Sequence, residues 1–100
     1  MLDLARVEGF DWDAGDSRKS TDKHGVSQAE AEQVFFCAKL LLLADTRHSM
    51  SEARNHALGC TDDGRHLYIT FTARGGGRLI RVISARDMHR KERARYAKEA

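Results

Sequence analysis

Apolar and polar positions alternate most plainly in the second half of the chain. Leu67, Ile69, Phe71 and Ala73 fall on one side of an extended segment, and His66, Tyr68, Thr70, Thr72 and Arg74 on the other. That pattern predicts a strand with one face turned to a core and one face carrying polar groups. The Asp63-Gly64 pair ahead of it is a hairpin turn and Gly75-Gly76-Gly77 behind it a second flexible turn, which together predict an antiparallel meander. The next strand, Arg78 to Ile83, is apolar on both sides, with Ile80 and Val82 on one face and Leu79 and Ile83 beside Arg81 on the other.

The first half reads mainly as helix. Phe10 and Trp12 alternate with Asp11 and Asp13 as a short strand, and the polar run from Ala14 to Lys23 suits a helix that Gly25 would stop. A second helix opens with Ser27 and Glu30 at capping-box spacing, and Ala31, Val34, Phe35 and Ala38 line one of its faces. Leu40 to Leu43 is read as a strand or extended exit, followed by a polar loop from Asp45 to Ala53. Ser84 and Asp87 form another possible capping box, heading a basic helix from Ala85 to Lys98. The expected fold is α+β: N-terminal helices, then an antiparallel β-sheet meander, then a C-terminal helix.

A chain of 100 residues is expected to fold as one domain, residues 1–100 with a core from about 8 to 96. With 41% apolar and 32% charged residues, the composition is that of an ordinary globular domain. The apolar run at Leu40 to Ala44 is too short to cross a membrane, and Met1 to Phe10 lacks the basic head and apolar stretch of a signal peptide. Cys37 and Cys60 sit in no CxxC or secretory framework, so free thiols and a cytoplasmic location are expected. His56, His66 and His89 have no partners at metal-ligand spacing, and no metal or cofactor is expected. The net charge of +2 is mild, so the placement of the cations carries more information than their number.

Several strings, in their order along the chain, resemble the BrnT family of the RelE-like ribonuclease toxins. They are FDWD at Phe10 to Asp13, KHGVS at Lys23 to Ser27, EAEQVFF at Glu30 to Phe36, SEAR at Ser51 to Arg54, TARG at Thr72 to Gly75 and RVISAR at Arg81 to Arg86. A late I-S-A-R ahead of R-x-x-R-x-x-Y completes the combination, which spans about Glu8 to Tyr96. The chain departs from the family pattern at Ser20, where Asn is usual, at Gln28, where an aromatic is usual, and at Cys37-Ala38, where Asp-Pro is common. The resemblance implies a RelE-like fold, a toxin of a type II toxin–antitoxin system, RNA as substrate and a cognate BrnA-like antitoxin protein as partner. It further implies growth inhibition until that partner binds, and contact with DNA only indirectly, through the antitoxin complex.

Cutting RNA by attack of the 2′-hydroxyl, without a metal, needs alignment, cations for the charge growing on phosphorus, and a proton carrier. Arg81 is the foremost candidate cation, because a charge in a strand apolar on both sides must be paired or line a groove. Arg54 and Glu52 share one face of an extended segment, either as a plain ion pair or with Glu52 orienting the Arg54 fork towards a phosphate. Arg86 is a further candidate, at the expected start of the terminal helix, where the helix N-terminus also favours phosphate. Lys23 and His24 either cap the first helix or carry protons, His24 having an ordinary pKa of roughly 6.5. Arg74 and Arg90 are expected to touch RNA, against the plainer reading of solvated charges at a strand end and on a helix. Two other readings use the same residues: an inactive scaffold that only binds its antitoxin, and a DNA reader using the terminal basic helix.

Overall fold

The computed structural model describes residues 4–12, 25–45 and 53–99. Five strands form one sheet: β1 (Gly9–Asp11), β2 (Leu41–Asp45), β3 (Arg54–Cys60), β4 (His66–Arg74) and β5 (Leu79–Asp87), in the order β1-β5-β4-β3-β2. From β2 to β5 each neighbour runs antiparallel, and β1 joins the β5 edge in parallel. Helix α1 (Gln28–Val34) packs on one face of the sheet and helix α2 (Arg90–Glu99) on the other.

The main core lies under α1. Ala31 and Val34 of the helix meet Ala57, Leu67, Ile69, Phe71, Ile80, Val82 and Ala85, all fully buried, so the alternation along β4 is seated as its pattern required as far as Phe71, while Ala73 near the strand end is exposed. The capping box at the head of α1 is formed: the Glu30 N–H donates to Ser27 Oγ at 3.1 Å, and the Ser27 N–H donates to the Glu30 carboxylate at 3.2 Å. Gly59 lets the helix come close to β3, since a Cβ there would sit 3.1 Å from Val34 Cγ1 and 3.2 Å from the Val34 carbonyl.

Three expectations are corrected. Among the described residues a single α-helix precedes the meander, and it ends at Val34, which leaves Ala38 exposed beyond it. The helix expected from Ala14 to Lys23 lies outside the described residues apart from its flank. The sheet is not purely an antiparallel meander entered after helices, because β1 comes first in the chain and adds a parallel edge strand. Finally, Ala85, Arg86 and Asp87 are strand, not helix: β4 is nine residues long, and its first residues Leu67, Tyr68 and Ile69 pair with Asp87, Arg86 and Ala85. Helix α2 starts only at Arg90, where Glu92 accepts from the His89 N–H at 2.7 Å.

Arg65 ties these pieces together from the β3–β4 turn. Its Nε and Nη2 donate to the two oxygens of Asp87 at 2.7 and 2.9 Å, and Nη1 donates to Glu30 at 3.1 Å and to the Gly25 carbonyl at 2.9 Å. One side chain therefore fastens the end of β5 and the approach to α1 to the hairpin. No helix among the described residues is long and apolar enough to cross a membrane.

Candidate active site on the polar sheet face

Helix α2 covers only part of its face of the sheet. Tyr96 and Met88 pack with Leu58, and Leu41, Leu43, Cys60 and Tyr68 surround them, which closes the end of the face nearest the β3–β4 turn. At the opposite end the strand register lines up five residues across all five strands. Asp11 is opposite Arg81, Arg81 opposite Thr72, Thr72 opposite Arg54, and Arg54 opposite Asp45. Residues paired across a sheet share a face, so this is a continuous polar row: Asp11, Arg81, Thr72, Arg54, Asp45.

Thr72 is the buried centre of the row, and its hydroxyl donates to the Ala53 carbonyl at 2.8 Å. Arg54 and Arg81 flank it on the neighbouring strands, with Cα atoms about 10 Å apart across β4. Arg74 stands two residues beyond Thr72 on the same face, so three arginines share the face around one strand position. The Nε atoms of Arg74 and Arg81 are shut off from solvent. Arg81, expected to be paired or to line a groove, stands on this polar face opposite Thr72 and Asp11.

The next row towards α2 holds a second constellation. His56 Nε2 lies 3.0 Å from Asp45 Oδ2, and its Nδ1 lies 3.0 Å from Thr70 Oγ1. The imidazole also lies against the Tyr68 ring, with centroids 4.7 Å apart. Side-chain exposure is 16% for His56 and 10% for Asp45, so the pair is largely removed from water. With an ionised Asp45 accepting from Nε2–H, Nδ1 becomes the acceptor for the Thr70 hydroxyl. This Asp–His–Thr chain is two residues along β3 from Arg54, and the sequence reading passed over it because it examined His56 only for metal spacing. The signal was present: Arg54 and His56 alternate onto one face of β3, as Thr70 and Thr72 do on β4.

Arg86 faces the same side as Arg81 only because β5 carries a bulge. Thr70 pairs with Ser84 and Phe71 with Val82, so Ile83 is an extra residue. In a regular strand, residues five apart point to opposite faces; the extra residue restores Arg86 to the polar face. Arg86 is nevertheless occupied there. Nη1 and Nη2 donate to the Glu92 carboxylate at 2.7 and 2.8 Å, and the guanidinium carbon lies 4.3 Å from the Tyr68 ring centre. The bonds to Glu92 push the Arg86 pKa upward against partial burial. Arg86 is thus a strand residue holding α2 down, and not, as expected, an arginine opening a helix. Arg90 is exposed at the head of α2, beyond the polar row. Lys23, His24 and Glu52 lie outside the described residues. The neighbour of His24, Gly25, is held by Arg65 at the Asp87 end of the sheet, five strand positions from the Arg81 row, or about 17 Å.

The model of the family described as ribonuclease toxin, BrnT, of type II toxin-antitoxin system matches residues 12–92. Among solved structures, the fold is similar to that of the Brucella abortus ribonuclease toxin BrnT, with a TM-score of 0.62 and 20% sequence identity over 82% of this chain and 97% of that one. No curated protein matches the chain.

Proposed function

Because the chain belongs to the BrnT family of ribonuclease toxins from type II toxin–antitoxin systems, we propose that it is an endoribonuclease working on the polar face of its sheet. The observation that carries this reading is the arginine row, Arg81-Thr72-Arg54, lying beside the Asp45–His56–Thr70 chain. Arg54 and Arg81 hold the phosphoryl oxygens of the scissile phosphate from two sides, through forks that keep their charge at any working pH. Arg74 carries the adjoining phosphate. His56, oriented by Asp45, takes the 2′-hydroxyl proton when that hydroxyl replaces Thr70 on Nδ1. The oxygen then attacks the neighbouring phosphorus and expels the 5′-oxygen, leaving a 2′,3′-cyclic phosphate. In this reading protein groups carry both the charge and the proton work, so the reaction runs without a metal. Lys23, His24 and Glu52, which lie outside the described residues, remain candidates in addition to the row, Lys23 or His24 as a second proton carrier and Glu52 as support for Arg54.

The protein would act in the cytoplasm, inhibiting growth until a cognate BrnA-like antitoxin covers this face. An acidic or amphipathic antitoxin segment fits a surface framed by three arginines. The antitoxin would also supply the DNA contact for repression of the shared promoter. The test is cleavage of single-stranded RNA by the purified, folded chain, with product ends analysed beside Arg81→Ala. Cyclic-phosphate ends from the parent and about 100-fold slower cutting by the variant are expected. Intact RNA with both proteins would return the chain to a binding scaffold, the reading favoured by the full occupation of Arg86 by Glu92 and Tyr68.

A further inference from the structure

Cys37 and Cys60 meet at the opposite end of the molecule from the arginine row, where the chain leaving α1 wraps round the edge of β3. The hydroxyl of Tyr96 lies 3.5 Å from Cys37 Sγ and 3.7 Å from Cys60 Sγ, so one phenol bridges both sulfurs. The Cys37 thiol is held below the ordinary thiol value by the Tyr96 hydroxyl and by the neighbouring Cys60 and Lys39, so the phenol shared by the two sulfurs favours an anion at Cys37 over an inert buried thiol. Both cysteines are only partly buried. Beside Cys60 and Tyr96, the group that joins Cys37 to Cys60, opens a hollow of about 580 Å³, lined also by Lys39, His66 and Arg93, whose basic side chains suit a carboxylate-bearing molecule.

We propose that Cys37 and Cys60 are a reactive dithiol site that takes small anionic disulfides, of the class of oxidised glutathione, from this hollow and closes to an internal disulfide. The Cys37 thiolate attacks one sulfur of the disulfide, breaks its S–S bond and releases the first thiolate. The Cys60 sulfur then attacks Cys37, forms the internal S–S bond and expels the second thiolate. The two cysteine protons end on the two released thiols, so one disulfide is reduced to two thiols as the protein pair is oxidised. Burial alone would raise the Cys37 thiol, but the Tyr96 hydroxyl and the two backbone bonds outweigh it and hold the group below the ordinary thiol value. Tyr96 is shifted the opposite way, by burial and by both sulfurs, and stays a protonated donor. The site is independent of the ribonuclease reading, since none of its groups belongs to the arginine row.

The experiment treats the folded full chain with oxidised glutathione and follows intact mass and peptide maps, beside Cys37→Ser and Cys60→Ser. The parent should end two hydrogens lighter with no lasting adduct. Cys60→Ser should stop with one glutathione on Cys37, and Cys37→Ser should react at least about 10-fold more slowly. A stable adduct on the parent without ring closure, or equal rates for the two variants, overturns the proposal. Should either variant fold poorly by circular dichroism, the parent decides by itself: iodoacetamide should modify Cys37 faster in the native chain than in urea, and a slower native rate sinks the idea.

Discussion

Replacing Arg65 by Met keeps the length of the side chain and removes its four polar contacts. The fork to Asp87 is the shortest of these, at 2.7 and 2.9 Å, but Asp87 is 59% exposed, so its contribution is discounted to about 0.5–1 kcal/mol. The Glu30 contact is half-sheltered and adds about 0.5 kcal/mol. The bond to the Gly25 carbonyl, made by a charged donor whose side chain is only 29% exposed, contributes about 1 kcal/mol. The expected loss is therefore about 2 kcal/mol, which for a domain of this size lowers the melting midpoint by about 8–16 °C. Urea unfolding of parent and variant measures it directly, and a double-mutant cycle with Asp87→Asn separates the fork from the other two contacts. RNA cleavage by the variant, assayed well below its midpoint, should match the parent, because Arg65 precedes β4, seven residues along the chain from Thr72 of the Arg81 row. A stability loss under about 0.5 kcal/mol would mean that the hairpin, β5 and the approach to α1 are held by packing alone.

Three further outcomes follow from the geometry. His56→Gln keeps a hydrogen-bonding side chain but removes the proton carrier, so RNA cleavage should fall by about 100-fold with stability little changed; unaltered cleavage would take His56 out of the reaction. Gly59→Ala forces a methyl group to within 3.1 Å of Val34 Cγ1 and 3.2 Å of its carbonyl, and should cost about 1–3 kcal/mol in urea unfolding, with no loss if α1 can lift away freely. Glu30 is held below the ordinary carboxylate value of 4.5 first by the Ser27 N–H and then by Arg65; Glu92 is raised by burial but lowered more by Arg86 and the His89 N–H. Both pKa values are lower in the folded state than in the unfolded one, so these groups add stability above about pH 4.5 that drains away as the pH falls through their folded values. The melting midpoint should therefore drop below pH 4.5, and Glu30→Gln with Glu92→Gln should flatten that drop.

What could be read from the chain was whatever depends on neighbours in sequence. The alternation along β4 as far as Phe71, the Asp63-Gly64 turn and the Ser27–Glu30 capping box are local signals, and each is seated as its pattern required. The misplaced elements depend on pairing over distance. Ser84 to Asp87 carries helix-starting residue types, yet the length of β4 offers those residues strand partners, and pairing wins over local propensity. The bulge at Ile83 is invisible without the register, and so is the joint orientation of Arg81 and Arg86. Arg81 was singled out because a charge in a strand apolar on both sides must be paired or line a groove, and Arg54 because it shares a face with Glu52. His56 and Asp45 were missed because they become partners only once β2 pairs with β3. Arg65 carries no local signal, and only the fold brings Asp87, Glu30 and Gly25 within its reach.

The carboxylates at the two ends of the polar row change how the surface behaves at long range. Asp11 and Asp45 stand at the two ends of the row that holds Arg81 and Arg54, so its five paired positions carry two charges of each sign, and their fields largely cancel beyond a Debye length of about 8 Å. A passing polyanion is therefore drawn in weakly, and the guanidinium groups act only once a strand lies in contact with them. Capture should be slow and tolerant of salt compared with an open basic patch, with selectivity set by which backbones can lie flat between two acidic borders. On the proposed function, such a surface would pass over most nucleic acid and engage only a backbone that fits it.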